Sequence, residues 1–136
     1  MGKILALDIG EKRIGVAVSD ELLILAHPLT TLQWKGFKPF VAELEALIQE
    51  NKITEILIGV PYTLNGNISR KTNDILNIVK KLRNRLSIPI MEWDESLSTK
   101  QAQAILHRVG KKPSKQRDKI DQIAAVVILQ EYLDSK

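Results

Sequence analysis

No cysteine occurs among the 136 residues, which excludes a disulfide framework and any thiolate metal site. Histidine is almost as scarce. His27 and His107 are too few and too scattered for a zinc cluster. The aromatic residues are Trp34, Phe37, Phe40, Tyr62, Trp93 and Tyr132, and they are not interleaved with basic residues along the chain. A base-stacking platform for single strands is therefore not expected from their order. No apolar run approaches the roughly 20 residues that span a bilayer. The N-terminus also lacks the basic region, apolar stretch and small-residue cleavage site of a signal peptide. A soluble, cytoplasmic protein is expected. No internal repeat or linker is visible, so residues 1–136 read as a single domain.

The chain does have an ordinary core composition, 44% hydrophobic, and an uneven charge. Residues 1–69 carry 6 Lys+Arg against 8 Asp+Glu, and residues 70–136 carry 14 against 8. A basic half of net +6 points to a polyanionic partner or to a solvated surface, and composition does not separate the two. With so few aromatics beside the basic residues, contact with phosphates is the expected mode.

Residues 3–9 and 13–19 read as two strands joined by the Gly10-Glu11-Lys12 turn. Residues 23–33 could supply a third, with Pro28 confining it to an edge or interrupting it. From Phe37 the apolar spacing becomes helical, through Phe40, Val41, Leu44, Leu47 and Ile48. A short apolar strand at 55–60 stops at Pro61 and is followed by a polar loop. Ile75, Val79, Leu82 and Leu86 then mark a second helix, and 88–93 another strand. Ser98-Thr99-Lys100-Gln101 resembles a capping box for a helix running to about Val109. Residues 110–116 read as a mobile connection. Ile120, Ile123, Ala124, Val127 and Leu133 give the last helix its apolar face. Strands followed by alternating helix and strand imply an α/β fold with a mixed sheet flanked by helices.

Three acidic sites fall where elements begin or end: Asp8, Asp94-Glu95 and Asp121. Carboxylates gathered at one point repel unless a cation lies between them. Oxygen ligands without His or Cys favour Mg²⁺ or Mn²⁺. Two such ions activate water and stabilise the leaving oxygen in phosphodiester hydrolysis. Each acid also has a structural reading. Asp121 near a helix N-terminus is favoured by the dipole alone, by about 0.3–1 kcal/mol, and Asp94 and Glu95 fit a strand end. Asp8 is the hardest to explain structurally, because it interrupts an apolar run. Asp20, in Ser19-Asp20-Glu21, fits an exposed turn. Lys12 and Arg13 follow Asp8 closely enough to hold a phosphate, or they simply solvate a hairpin. Lys111, Lys112, Lys115, Arg117 and Lys119 precede Asp121 and suit backbone tracking of a nucleic acid.

Four motifs in order carry a resemblance over essentially the whole chain. They are Leu7-Asp8-x-Gly10-x-Lys12-Arg13-Ile14-Gly15-Val16-Ala17; Ile58-Gly59-Val60-Pro61 with Asn65-Gly66; Trp93-Asp94-Glu95-Ser96-Leu97-Ser98-Thr99; and Ile120-Asp121-x-x-Ala124-Ala125. The chain resembles the YqgF/RuvX family of bacterial Holliday-junction-resolvase-like proteins, described as nucleases maturing the 5′ end of pre-16S rRNA. The resemblance implies an RNase H-like fold with a mixed five-stranded sheet. It also implies a hydrolase acting on phosphodiester bonds, with Asp8, Glu95 and Asp121 as catalytic acids and metal ligands and Asp94 as a supporting or alternative ligand. The implied cofactor is Mg²⁺ or Mn²⁺, as two ions. The implied partners are structured RNA such as pre-rRNA, or branched DNA, with the ribosome as a further partner and the protein a monomer or homodimer. Ser96 stands where the family usually has arginine, Asn65 replaces a common aspartate and Asn67 a small hydroxyl residue. These departures bear on substrate grip more than on metal binding. An actin-like ATPase, which shares the Asp-x-Gly turn, needs two such domains where 136 residues leave room for one, and a non-catalytic RNA-binding or ribosome-associated module stays open.

Overall fold

The computed structural model describes residues 2–62, 68–95 and 117–136, with side chains of the last stretch from Ile120 onward. Among these described residues five strands and three helices follow in the order β1 (Lys3–Ile9), β2 (Arg13–Ser19), β3 (Ala26–Gln33), α1 (Phe37–Glu50), β4 (Ile53–Val60), α2 (Arg70–Arg85), β5 (Ile90–Asp94) and α3 (Arg117–Asp134). The expected capping box, the helix to Val109, the connection at 110–116 and the Asn65-Gly66 loop lie outside the described residues.

The strands form one sheet in the order β3-β2-β1-β4-β5. β1, β2 and β3 pair antiparallel, whereas β1–β4 and β4–β5 pair parallel. β3 takes the edge, as Pro28 requires. The β2–β3 register shifts between Val16 and Ala17, beside the proline that lacks a ladder donor. β3 starts three residues later than the spacing implies. The Asp20 carboxylate accepts hydrogen bonds from the backbone N–H groups of Ile24 and Leu25 and closes a turn there. That contact gives Asp20 its turn role.

β1 and β4 are apolar on both faces because both faces are covered. On one face Leu5, Leu7, Ile9, Ile14, Val16, Ile56, Ile58 and Val60 pack with Phe40, Val41 and Leu44 of α1 and Ile75, Val79 and Leu82 of α2. On the other, Ile4, Ala6, Ala17 and Leu57 meet Ala125, Ile128, Leu129 and Leu133 of α3. Strand alternation therefore directs Asp8 to the α3 side, in line with Ile4 and Ala6.

The start of α2 is anchored near the end of β4. Ser69 Oγ accepts from the Thr72 N–H at 3.1 Å, and the buried Thr72 hydroxyl donates to the Pro61 carbonyl at 2.6 Å. α3 is tied down at the edge, where Gln130 accepts from the Ala26 N–H and donates to the Ile24 carbonyl. Its apolar face differs from the expected one. Ala125, Ile128, Leu129 and Leu133 are buried, whereas Ile120, Ile123, Ala124 and Val127 are half-buried. The helix is apolar around most of its circumference from 123 to 129, so the sequence does not phase it, and the shape of the sheet selects the side. Among the described residues no helix is long and apolar enough to cross a membrane.

Candidate functional site at the sheet rim

Asp8 lies one residue from the end of β1, paired with Gly15 of β2. Glu95 follows β5 directly, and β5 lies two strands away across β4. What brings Glu95 back toward Asp8 is the gap left by Gly59 in the intervening strand. A Cβ built there would lie 2.5 Å from Glu95 Oε1 and 2.6 Å from Ile128 Cδ1. Gly15 plays the matching part for α3. A Cβ on it would overlap the carbonyl carbon and oxygen of Asp121. Glycine inside a buried strand marks a close approach of this kind. The two glycines flank Asp8, so both the Glu95 carboxyl and the first turn of described α3 side chains are drawn to the same end of the sheet.

Two of the three acids meet. Glu95 is hydrogen-bonded to Asp8, and its pKa is pushed up to about 8. Burial is the largest cause, followed by the hydrogen bond and the charge of Asp8; Asp94 adds to the effect and Lys71 opposes it. At neutral pH Glu95 thus keeps its proton and donates it to the Asp8 carboxyl. Asp94, half-buried at the end of β5, contributes its charge from the next residue.

Asp121 stands apart from that pair. Its Oδ2 accepts from Arg13 Nε at 2.9 Å, with both side chains largely shielded from solvent. Among the described residues no group of three or more His, Cys, Asp or Glu is placed to hold a metal ion. The expected three-way convergence is therefore two-way here, and a guanidinium from β2 offsets the charge of the third acid. Arg13, read from the sequence as a phosphate contact, is engaged with a carboxylate. Lys12 is exposed in the β1–β2 turn. Lys112 and Lys115 lie outside the described residues, and Arg117 opens α3 with its side chain outside them too.

Sequence reading missed Gly59, Gly15 and Lys71 as contributors to this site. The two glycines had a signal, since each interrupts a strand of large apolar residues. Lys71 had none, because its approach to Glu95 depends on how α2 is laid across the sheet.

The raised pKa has a consequence for stability. Glu95 binds its proton in the folded state up to about pH 8 but releases it near 4.5 when unfolded. Between those values the native state holds the extra proton, so stability falls as pH rises and levels off above the folded value. Denaturation of the chelator-treated protein should show a midpoint that declines from about pH 5 to about pH 8. Glu95→Gln should flatten that decline. An unchanged slope in the variant would mean that Glu95 does not carry the proton.

A family described as RuvX, Holliday junction resolvase, matches residues 2–135. A protein of Syntrophus aciditrophicus named as a pre-16S rRNA nuclease is 41% identical over 133 residues, covering 98% of this chain and 89% of the relative. One of Roseiflexus sp. with the same name is 38% identical over 135 residues, covering 99% and 96%. Among solved structures, T. thermophilus RuvC in complex with a Holliday junction superposes with a TM-score of 0.62 at 14% identity, covering 99% of this chain and 95% of that one. The fowlpox virus Holliday junction resolvase does so at 0.59 and 16%, covering 98% and 99%. At such identities the likeness is one of fold, and the fold is RNase H-like.

Proposed function

Because the chain belongs to the RuvX family, described as Holliday junction resolvases, we propose that it is a nuclease that hydrolyses phosphodiester bonds and processes the 5′ end of pre-16S rRNA in the cytoplasm. The observation that carries this reading is the contact between the half-buried Asp8 and Glu95 over Gly59. Two carboxyls in contact at a sheet rim, with a proton between them, are costly as a structural device. They are well suited to exchanging that proton for a hard cation. The relatives' name supplies the RNA.

Asp8 and Glu95 fit a divalent ion by donor type and by their mutual contact. Asp121 would join them on exchanging its partner Arg13. Mg²⁺ or Mn²⁺ held there, as one ion or two, would supply an activated water and a stabilised leaving oxygen. The chain's own residues do the rest. Asp94 adds negative potential behind Glu95, and Lys71 limits it from the α2 side. Arg13 offsets the charge of Asp121 and orients its carboxylate. Lys12, with Lys112, Lys115 and Arg117, would contact the phosphate backbone, so binding should weaken steeply as salt rises.

A second reading, cleavage of a four-way DNA junction, is favoured by the family's description and by the shared fold. The two are separated by offering a labelled precursor 16S rRNA fragment and a four-way DNA junction side by side, with Mg²⁺ and with Mn²⁺. The expected result is cleavage of the RNA, dependent on the added ion. Cutting of the junction alone would transfer the assignment to DNA. No cutting of either substrate under any metal condition would remove it.

A further inference from the structure

A cleft of about 440 Å³ opens on the α2 side of the sheet, between the β1–β2 turn, Trp34 and one face of α2. Its volume lies within the range of small-molecule sites, roughly 300–1,000 Å³. α2 presents Lys71, Asp74, Ile78 and Lys81 to it, positions that recur on one side of a helix. The opposite wall includes Ile9, Gly10 and Glu11, the residues immediately after Asp8. Lys71 belongs to both places, since its charge also acts on Glu95.

Trp34 is held in the cleft wall rather than left to rotate. Its backbone N–H donates to the Lys12 carbonyl at 2.8 Å, which sets it beside the β1–β2 turn. Its ring leans on Phe40, with centroids 5.5 Å apart and planes at 51°, and the residue is half-buried. A tryptophan braced on one side and open on the other is a stacking surface with little ordering cost. Glu11 and Asp74 offset Lys71 and Lys81, so the cleft has no net formal charge. That balance suits an uncharged aromatic group better than a run of phosphates.

We propose that this cleft seats an unpaired nucleobase of the strand being cut, stacked on Trp34 against the apolar wall of Ile78, with Lys71 and Lys81 toward the adjoining phosphates. The proposal rests on the nuclease reading of the Asp8–Glu95 pair and adds the form of its substrate. A base in a duplex has no free face to offer, so the cleft selects single-stranded nucleic acid next to the cleaved bond.

The test is equilibrium binding to the chelator-treated protein, which separates binding from cleavage. The probes are a short single-stranded RNA and the same sugar-phosphate backbone without bases, read by tryptophan fluorescence and by anisotropy. The wild type should prefer the base-bearing strand by about 10-fold. Trp34→Leu should reduce that preference to about 2-fold or less, while Trp34→Phe should keep most of it. Photocrosslinking of a 4-thiouridine strand to the unmodified protein, mapped by mass spectrometry, should locate Trp34 or Ile78, and this arm decides if Trp34→Leu does not fold. Equal affinity of the wild type for both backbones, or crosslinks confined to other elements, overturns the proposal. A protein that cleaves the precursor yet shows no base preference loses only this cleft. A protein that shows the preference and its loss in Trp34→Leu yet cuts nothing loses the nuclease reading and keeps the cleft.

Discussion

Asp8→Asn should abolish cleavage, lowering turnover by about 10³-fold or more while leaving nucleic-acid affinity within about 2-fold. The first figure follows from removing several kcal/mol of charge stabilisation at the reacting phosphate, since each 1.36 kcal/mol is tenfold in rate. The second follows because affinity for a polyanion resides in lysine and arginine contacts with phosphates, which the substitution leaves in place. The variant carries an internal control. Asp8 supplies both the hydrogen bond and the charge that follow burial in raising the Glu95 pKa. Without that charge, Glu95 should titrate lower, and the pH-dependent loss of stability should shift down with it. Single-turnover cleavage and binding anisotropy on one preparation measure both effects. A variant that still cuts within about 10-fold of wild type would place the chemistry elsewhere. A variant that loses binding and cutting together would make the site one for gripping substrate.

Gly15→Ala should lower stability by about 2–3 kcal/mol, the scale of overpacking against atoms that cannot step aside. The added methyl would overlap the backbone carbonyl of Asp121, so α3 must lift from the sheet instead of rotating a side chain. Lifting it opens the layer formed by Ala6, Ala17, Leu57, Ala125, Ile128 and Leu129 and draws Asp121 away from Asp8. Gly59→Ala provides the contrast. There the new methyl meets the Glu95 carboxylate at 2.5 Å and the Ile128 methyl at 2.6 Å, both of them ends of side chains. Gly59→Ala should therefore cost less stability than Gly15→Ala but displace Glu95, so that cleavage falls by more than the change in stability implies. Thermal denaturation and cleavage rates for the two variants form the comparison. If Gly15→Ala melts within about 1 °C of wild type, α3 does not pack on β2 as described.

The strands and described helices were legible because their signals are local. Apolar alternation and runs mark β1, β2 and β4, and helical spacing at Phe40, Val41 and Leu44 marks α1. Pro28 restricted its strand to an edge or broke it, because a missing N–H can be tolerated only at an edge or a bulge, and the sheet order settles on the edge. Asp8 stood out for a similar reason, as a carboxylate in an otherwise apolar stretch. The α3 face was misread because that helix offers apolar residues on nearly every side, so periodicity carries no phase. Arg13 was assigned by its nearness to Asp8 in sequence, whereas its actual partner, Asp121, sits on the last helix.

The chain by itself determined the order of its described elements and the identity of the acids, because each depends on the chemistry of a few consecutive residues. Only the tertiary structure decided which acids touch, which way α3 faces, and that Trp34 stands across a cleft from Lys71 and Lys81. Those outcomes depend on how closely separate elements approach. At Gly15 and Gly59 that approach is controlled by the space an absent side chain leaves for a distant part of the chain.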